Sequence, residues 1–305
     1  MPCPPTQQLT PQEALPNRLI ATPPNPAQQF GNAIAVAGDL LVVGAPNPGG
    51  PGAIYVFDFN GTSWNPAATI RPSDSADGDR FGTAVAIDGT RILAGAPGAD
   101  SGSTRGAAYI FEQVGDSWDE VMRLSSDTIG DHFFGWSVAL DGDLAAIGAP
   151  YTGNGIEQTG SVALFRHNST TWNREQRLAT GASGGALDRD LFGWIVALDG
   201  NTLVVGAYLG NRAYVFTESG GSWTEQEELT GPTGQFGYAV AIDGGTIAVG
   251  APLNNTGGTN IGIVAIFNSS AGGWVDAGTL QPPALANGSR FGSAVALVGG
   301  TLLVG

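Results

Sequence analysis

Apolar and polar residues alternate in short runs along most of this chain, the two-residue period of half-buried strands. Thr83–Asp88 (TAVAID) alternates small with branched residues and reads as a first strand, A. Arg91–Gly95 (RILAG) follows as strand B, with the hairpin pair Asp88-Gly89 between them. Ala107–Glu112 (AAYIFE) and Trp118–Leu124 (WDEVMRL) supply strands C and D. The same order opens the chain as AIAVA, LLVVG, AIYVF and the segment after Trp64, and it recurs as far as GIVAIF and the segment after Trp274. Helical periodicity is absent throughout.

Two landmarks set the period. Phe-Gly occurs at Phe30, Phe81, Phe134, Phe192, Phe236 and Phe291, and 14 positions after each Phe stands a second glycine: Gly44, Gly95, Gly148, Gly206, Gly250 and Gly305. The strand C Phe precedes the strand D Trp by seven positions each time, as from Phe57 to Trp64 and from Phe111 to Trp118. The A–B and C–D connections are therefore fixed in length. The B–C and D–A connections vary: Gly206 to Phe216 spans 10 positions, whereas Gly250 to Phe267 spans 17. In an up-and-down meander these two pairs of connections lie at opposite ends of the strands. One face is uniform and the other carries the variation, and variable loops on a rigid scaffold are where binding sits.

Four short antiparallel strands repeated about every 50 residues are the pattern of a β-propeller. An alanine in each strand A (Ala35, Ala86, Ala139, Ala197, Ala241 and Ala296) suits the crowding near a propeller axis. The expected fold is all-β, with five complete four-stranded antiparallel blades at about 30–71, 81–124, 134–178, 192–229 and 236–280. A partial blade is expected at 291–305 and a lone strand D at about 17–21, behind a proline-rich segment at 1–16. The pattern breaks off at Gly305, where Ala-Pro and a strand C should follow, so the sequence reads as a truncated product of a propeller with six or seven blades.

Composition narrows the partners. Glycine is abundant at 48, charged residues make up only 13%, and the formal net charge is −15. Such a surface repels phosphate backbones and disfavours anionic lipid surfaces, so no nucleic-acid partner is expected and no membrane insertion of this segment. Every basic residue is arginine. The single cysteine, Cys3, permits no internal disulfide and reads as an inert terminal thiol. No run reaches the roughly 18 apolar residues of a membrane span. The opening 25 residues lack the basic-then-apolar layout of a signal peptide.

The repeated unit resembles the FG-GAP repeat, the blade of the integrin α-chain propeller and of many bacterial and algal surface proteins. Gly-Ala-Pro stands at Gly44, Gly95, Gly148 and Gly250, and the wording GAIYVFDFNGTSW (Gly52–Trp64) completes the unit. One departure is Gly206-Ala207-Tyr208, where Tyr replaces Pro ahead of the shortest B–C loop. The resemblance covers roughly residues 17–305. It implies a non-enzymatic binding or adhesion module, extracellular or at the cell surface, that takes a protein or glycan on its variable face. The alternatives are lectin-like carbohydrate binding, the non-catalytic propeller of a larger secreted enzyme, and a structural spacer.

Candidate chemistry is sparse. Integrin-type blades hold calcium in a D-x-D-x-D-G loop between strands A and B, but here that connection is a tight turn around Asp39, Asp88, Asp141, Asp199 and Asp243. Calcium takes six to eight oxygens, which a two-residue turn does not supply. These aspartates read as turn formers, and no metal or cofactor is expected. A second acidic set precedes the Phe-Gly pairs (Asp74, Asp77 and Asp79; Asp127 and Asp131; Asp188 and Asp190) and reads as Asx-turn chemistry, with a weak divalent-ion site as the alternative. The two histidines, His132 and His167, fall at opposite ends of the strands, and no G-x-S-x-G elbow is present. Five N-x-[ST] sequons, at Asn60, Asn168, Asn254, Asn268 and Asn287, read mainly as turn chemistry.

The residue after each Phe-Gly is the sharpest candidate. Trp136, Trp194 and Tyr238 place a large ring there in three successive repeats. They are expected at the rim of the central channel as a platform for sugar rings, beside carboxylates such as Asp131 and Asp190. A one-residue shift would instead turn them into the core between blades. The short A–B turns give a first prediction: thermal melts with and without a chelator should superimpose, and a fall of more than a few degrees in chelator would place a metal in the acidic loops.

Overall fold

In a computed structural model of the 305-residue chain, residues 19–21, 28–100, 106–126, 131–152, 159–179, 190–282 and 286–305 are described. Five four-stranded antiparallel sheets follow one another along the sequence, each a simple A-B-C-D meander. They comprise Ala33–Ala37, Leu40–Ala45, Ala53–Phe59 and Trp64–Ile70; then Val85–Asp88, Arg91–Ala96, Ala107–Val114 and Ser117–Ser125. The third has Ser137–Asp141, Leu144–Ala149, Ser161–His167 and Trp172–Leu178, and the fourth Ile195–Asp199, Thr202–Ala207, Arg212–Ser219 and Ser222–Thr230. The fifth has Ala239–Asp243, Thr246–Ala251, Ile263–Ser270 and Gly273–Leu280. Val295–Val298 and Thr301–Val304 pair as a two-stranded sheet. This is the propeller architecture that the repeat implies. Residues 1–16, with Cys3, lie outside the described residues. Leu19–Ala21 form no strand, and the chain there lies against the outer face of the first blade, where Leu19 and Ala21 join Leu41, Tyr55 and Phe57.

Strands A line a common channel of about 890 Å³, walled by Ile34, Ala86, Leu140, Ala197, Ala241 and Leu297 among others. Each core lies between consecutive blades. Val42, Ile54 and Val56 of the first blade pack with Phe81, Val85, Ile87 and Tyr109 of the second. Strand alternation explains this: odd positions of a strand face one neighbouring blade and even positions the other. Val85 and Ile87 pack against the first blade and are 9% exposed, whereas their counterparts Ile34 and Val36 in the first blade are 66% and 59% exposed. In every complete blade the C–D ladder shifts register beside the strand C aromatic, as between Val56 and Phe57 or Ile110 and Phe111. Such bulges add twist to the outer edge of a blade.

Phe-Gly joins the blades. Phe81, Phe134, Phe192 and Phe236 are fully buried. Each meets the strand C aromatics of its own blade edge-on; Phe81 lies 5.7 Å from Tyr109 and 5.9 Å from Phe111. The backbone of the same residue pairs with the preceding blade just ahead of its strand C: Phe81 with Gly52, Phe134 with Gly106, Phe192 with Gly160 and Phe291 with Gly262. The next glycine then donates back to its own blade, Gly82 N–H to Gly95 C=O at 2.9 Å and Gly135 N–H to Gly148 C=O at 3.1 Å. Its carbonyl oxygen occupies the space where a Cβ on the preceding blade's second landmark glycine would stand. Gly44 meets Gly82 in this way, Gly95 meets Gly135, Gly148 meets Gly193, Gly206 meets Gly237 and Gly250 meets Gly292. The constant 14-residue spacing is thus a backbone-to-backbone contact.

The turn aspartates also do more than shape hairpins. Asp88 accepts the Gly142 N–H of the next blade at 2.6 Å, Asp141 accepts that of Gly200, and Asp243 that of Gly300 at 3.2 Å. The uniform face is therefore cross-linked from blade to blade. Strand D adds a further tie: Gln176 bonds both the N–H and the C=O of Trp223, and Glu227 accepts the Trp274 N–H.

A matched pair of substitutions tests the contact between blades. Gly95→Ala forces a methyl group into the Gly135 carbonyl and should lower stability in urea by about 3 kcal/mol, the scale of overpacking. Gly49→Ala, where the space is open, should stay within about 0.5 kcal/mol of the parent.

Candidate functional site

The site is built from the residues on either side of each Phe-Gly. The residue before it has positive φ in the second to sixth repeats: Arg80 (57°), Phe133 (59°), Leu191 (58°), Gln235 (68°) and Arg290 (55°). The left-handed region disfavours side chains other than glycine, so the latch holds these residues in a mildly strained turn. The turn closes when the N–H after Phe-Gly donates to the carbonyl before it, as from Trp136 to Phe133 and from Trp194 to Leu191, both at 3.0 Å. The Phe turns into the core; Leu191 is buried with it, and the other flanking side chains of these repeats are left at the channel rim on the variable face.

Trp136, Trp194 and Tyr238 come together there. Trp136 and Trp194 lie 4.9 Å apart, and Trp194 and Tyr238 5.7 Å apart. All three are half-buried and belong to none of the core clusters between blades. Three more rings extend the arc. Tyr208 stands 4.6 Å from Trp194 and 5.4 Å from Tyr238. Tyr151 stands 6.1 Å from Trp136, and Phe133 contacts both Trp136 and Tyr151. The contacts are tilted or edge-to-face, the arrangements ring quadrupoles favour. Tyr208 is the residue that replaces Pro after Gly206-Ala207, and Tyr151 follows the Gly-Ala-Pro of its own repeat. Both come from B–C loops and were not singled out by the spacing.

Asp79 and Asp190 of the acidic set make the local turn bonds read for them. Asp190 is buried, and its carboxylate accepts the Phe192 N–H at 3.2 Å. Asp79 is buried likewise and accepts the Ala76 N–H at 2.7 Å. Burial raises the Asp79 carboxyl above its ordinary value, partly offset by that hydrogen bond. Asp190 therefore organises its own loop and is withdrawn from a ligand at the rim. Asp127, Asp188 and the side chain of Asp131 lie outside the described residues. Asp74 accepts the Tyr109 hydroxyl at 2.9 Å and pairs with Arg123 at 3.1 Å, and Arg123 also reaches Asp100 at 2.8 Å. In the fourth blade Asn211 takes the place that Gly52, Gly106 and Gly160 hold elsewhere. It too has positive φ (54°), and its Oδ1 accepts the N–H groups of Gly234, Gln235 and Phe236.

The other candidates are structural. Asn60 Oδ1 accepts the Thr62 and Ser63 N–H groups, and Asn168 Oδ1 those of Thr170 and Thr171, which are Asx turns. His132 sits at the variable end, in a two-residue pairing with Tyr151. His167 lies at the uniform end, stacked on Trp172 at 5.3 Å, with Arg91 3.2 Å from its Nδ1. Among the described residues no group of three or more His, Cys, Asp or Glu side chains is placed to hold a metal.

Tyr214, whose ring packs on Phe192, gives an alkaline test of the loop framework. Burial pushes its phenol up to about 12, above the value near 10 of an unfolded chain. A raised phenol stabilises the fold below pH ~10, and that contribution is lost as pH rises toward ~12, because the unfolded chain releases its proton first. Urea midpoints should therefore fall through this window, and the fall should be shallower for Tyr214→Phe.

The family model of the FG-GAP repeat matches residues 16–57, 64–111, 118–165, 172–220 and 223–267. Each matched unit after the first starts at or near a strand D Trp and ends in or just after the next strand C, so the sequence repeat is offset from the blade by one strand. No curated protein matches the sequence. Among solved structures, a putative 6-phosphogluconolactonase from Bacteroides uniformis is similar with a TM-score of 0.58 at 13% identity, over 86% of this chain and 74% of that one. A second, from Bacteroides fragilis, is similar with a TM-score of 0.55 at 14% identity, over 83% of this chain and 71% of that one. At such identities the likeness is one of fold.

Proposed function

This chain belongs to the FG-GAP repeat family, and on that footing we propose that it is a non-catalytic binding module, extracellular or at a cell surface, whose aromatic rim takes up a carbohydrate ligand. The observation that carries this reading is the arc of rings spanning three blades on the variable face. Six aromatic side chains in continuous contact, outside the core clusters and only partly buried, are costly to keep in water without a partner. Sugar rings offer flat C–H faces that stack on indole and phenol, and hydroxyl groups that bond Tyr oxygens and loop backbone. The family's setting supports adhesion as the biological use.

The solved neighbours are named as putative lactonases, and at 13% and 14% identity that name carries no residue role to this chain. Ester or lactone hydrolysis needs a base poised at the rim, and Asp190 is engaged within its own loop. Absence of turnover of sugar lactones, alongside retained glycan binding, is the outcome this reading expects.

A glycan array followed by calorimetry tests the proposal. Trp136→Ala and Trp194→Ala should abolish binding while lowering the unfolding free energy by under ~2 kcal/mol, because the rings lie outside the core clusters between blades. Loss of about 3–5 kcal/mol with each, the cost of emptying a core site, would return them to the scaffold and sink the assignment.

A further inference from the structure

The rim is chemically two-sided. The aromatic arc occupies the third to fifth blades, and the same two positions in the second and sixth repeats read Arg-Phe-Gly-Thr and Arg-Phe-Gly-Ser, at Arg80–Thr83 and Arg290–Ser293. In blade order the rim therefore runs Arg80, Trp136, Trp194, Tyr238, Arg290. The residues before and after Phe-Gly meet one another, as Phe133 and Trp136 do at 6.2 Å. In the two arginine repeats the second residue is a small hydroxyl. Thr83 Oγ1 donates to the Arg80 carbonyl and Ser293 Oγ to the Arg290 carbonyl, both at 2.7 Å. Space is left open over the arginine: Arg290 and Ser293 share with Gln235 and Tyr238 a pocket of about 260 Å³ that adjoins the aromatic arc.

Among the described arginines, these two guanidinium groups stand apart. Arg91, Arg123, Arg166 and Arg212 each pair with a carboxylate, and Arg71 donates to the Gly52 carbonyl. Arg174 and Arg177 are engaged as well. Arg80 and Arg290 are exposed and have no side-chain bond, on a chain of net charge −15 with carboxylates in excess. Both also sit at positive φ, where glycine would be free of strain. A charged side chain kept at a strained position, turned to the rim and left unpaired among so many carboxylates, is placed for an anion from outside.

Resting on the carbohydrate reading above, we propose that the ligand is an anionic saccharide. Its rings stack on Trp136, Trp194 and Tyr238, and a carboxylate or sulfate is held by Arg290, with Gln235 and Ser293 lining the same pocket and Arg80 marking the other end of the arc. A guanidinium binds either oxyanion through paired N–H donors.

The test uses the full chain and probes that differ only in charge: oligogalacturonate against its methyl ester for carboxylate, and dextran sulfate against dextran for sulfate. Binding is expected to at least one anionic probe and at least tenfold weaker to its neutral partner. Arg290→Gln should remove most of that difference, and Arg290→Lys part of it. Arg166→Gln, far from the rim, should leave it unchanged, and thermal midpoints of all three should match the parent. Neutral and anionic probes bound alike, or an Arg290→Gln that keeps the preference, would overturn the anionic assignment and leave the carbohydrate reading standing. Failure of every probe, neutral and charged, followed by failure of a glycan array, would overturn both.

Discussion

A backbone oxygen that sits where a side chain would otherwise be is the constraint on which this molecule depends. The carbonyl of the Phe-Gly glycine presses on the second landmark glycine of the blade before it, at five successive junctions from Gly44–Gly82 to Gly250–Gly292. No residue with a Cβ fits beneath that oxygen, and at four of the five junctions the Phe beside it is fully buried. The contact joins three requirements in one short segment: a pairing to the preceding blade, a hydrogen bond to its own blade, and an aromatic plug between them. The distance between blades is thereby set by backbone atoms, which do not vary with sequence. That is why the strands around the junction tolerate Ile, Val, Leu or Ala, while the two glycine positions do not change.

Fixing the junction through the backbone leaves the neighbouring side chains free. The residues on each side of Phe-Gly enter the junction through their main-chain atoms, and all their side chains except that of the buried Leu191 emerge at the rim. In one chain this pair reads Arg and Thr, Phe and Trp, Leu and Trp, Gln and Tyr, Arg and Ser. A repeat of this kind offers interchangeable positions on an invariant frame, and the rim's chemistry is written blade by blade.

The frame was legible in the sequence because both landmarks recur at constant spacing, and a constant spacing requires a constant contact. The rim positions of Trp136, Trp194 and Tyr238 were legible for the same reason: they hang directly on a landmark. Tyr151 and Tyr208 were not, because they arise from B–C loops of unequal length, and the place of a loop residue depends on how the loop folds back. Asp190 keeps the turn role its sequence position suggests, accepting the Phe192 N–H; its burial, which separates a turn carboxylate from one facing a ligand, is decided by tertiary geometry. The turn aspartates Asp88, Asp141 and Asp243 carry the local character of turn formers, and their partners lie a full repeat away in the next blade. Asn211 shows how a substitution hides a constant feature. It replaces glycine at a positive-φ site and offers a side-chain oxygen to three N–H groups.

The two ends of the strands differ in physical role, and the difference explains where a ligand can bind. At the uniform end, hairpins of fixed length are tied to one another by carboxylate-to-amide bonds, and the Trp of strand D is held by Gln176 or Glu227 of the blade before it. Changing a loop length there would break a bond to a neighbour as well as the hairpin. At the other end the Phe-Gly latch already holds adjacent blades together through the main chain, so the loops between latches carry little of the load. Length and sequence can change there at small cost in stability. The aromatic rings and the two unpaired guanidinium groups stand at that end for this reason: it is the place where the fold can carry exposed, strained and unpartnered groups without loosening its blades.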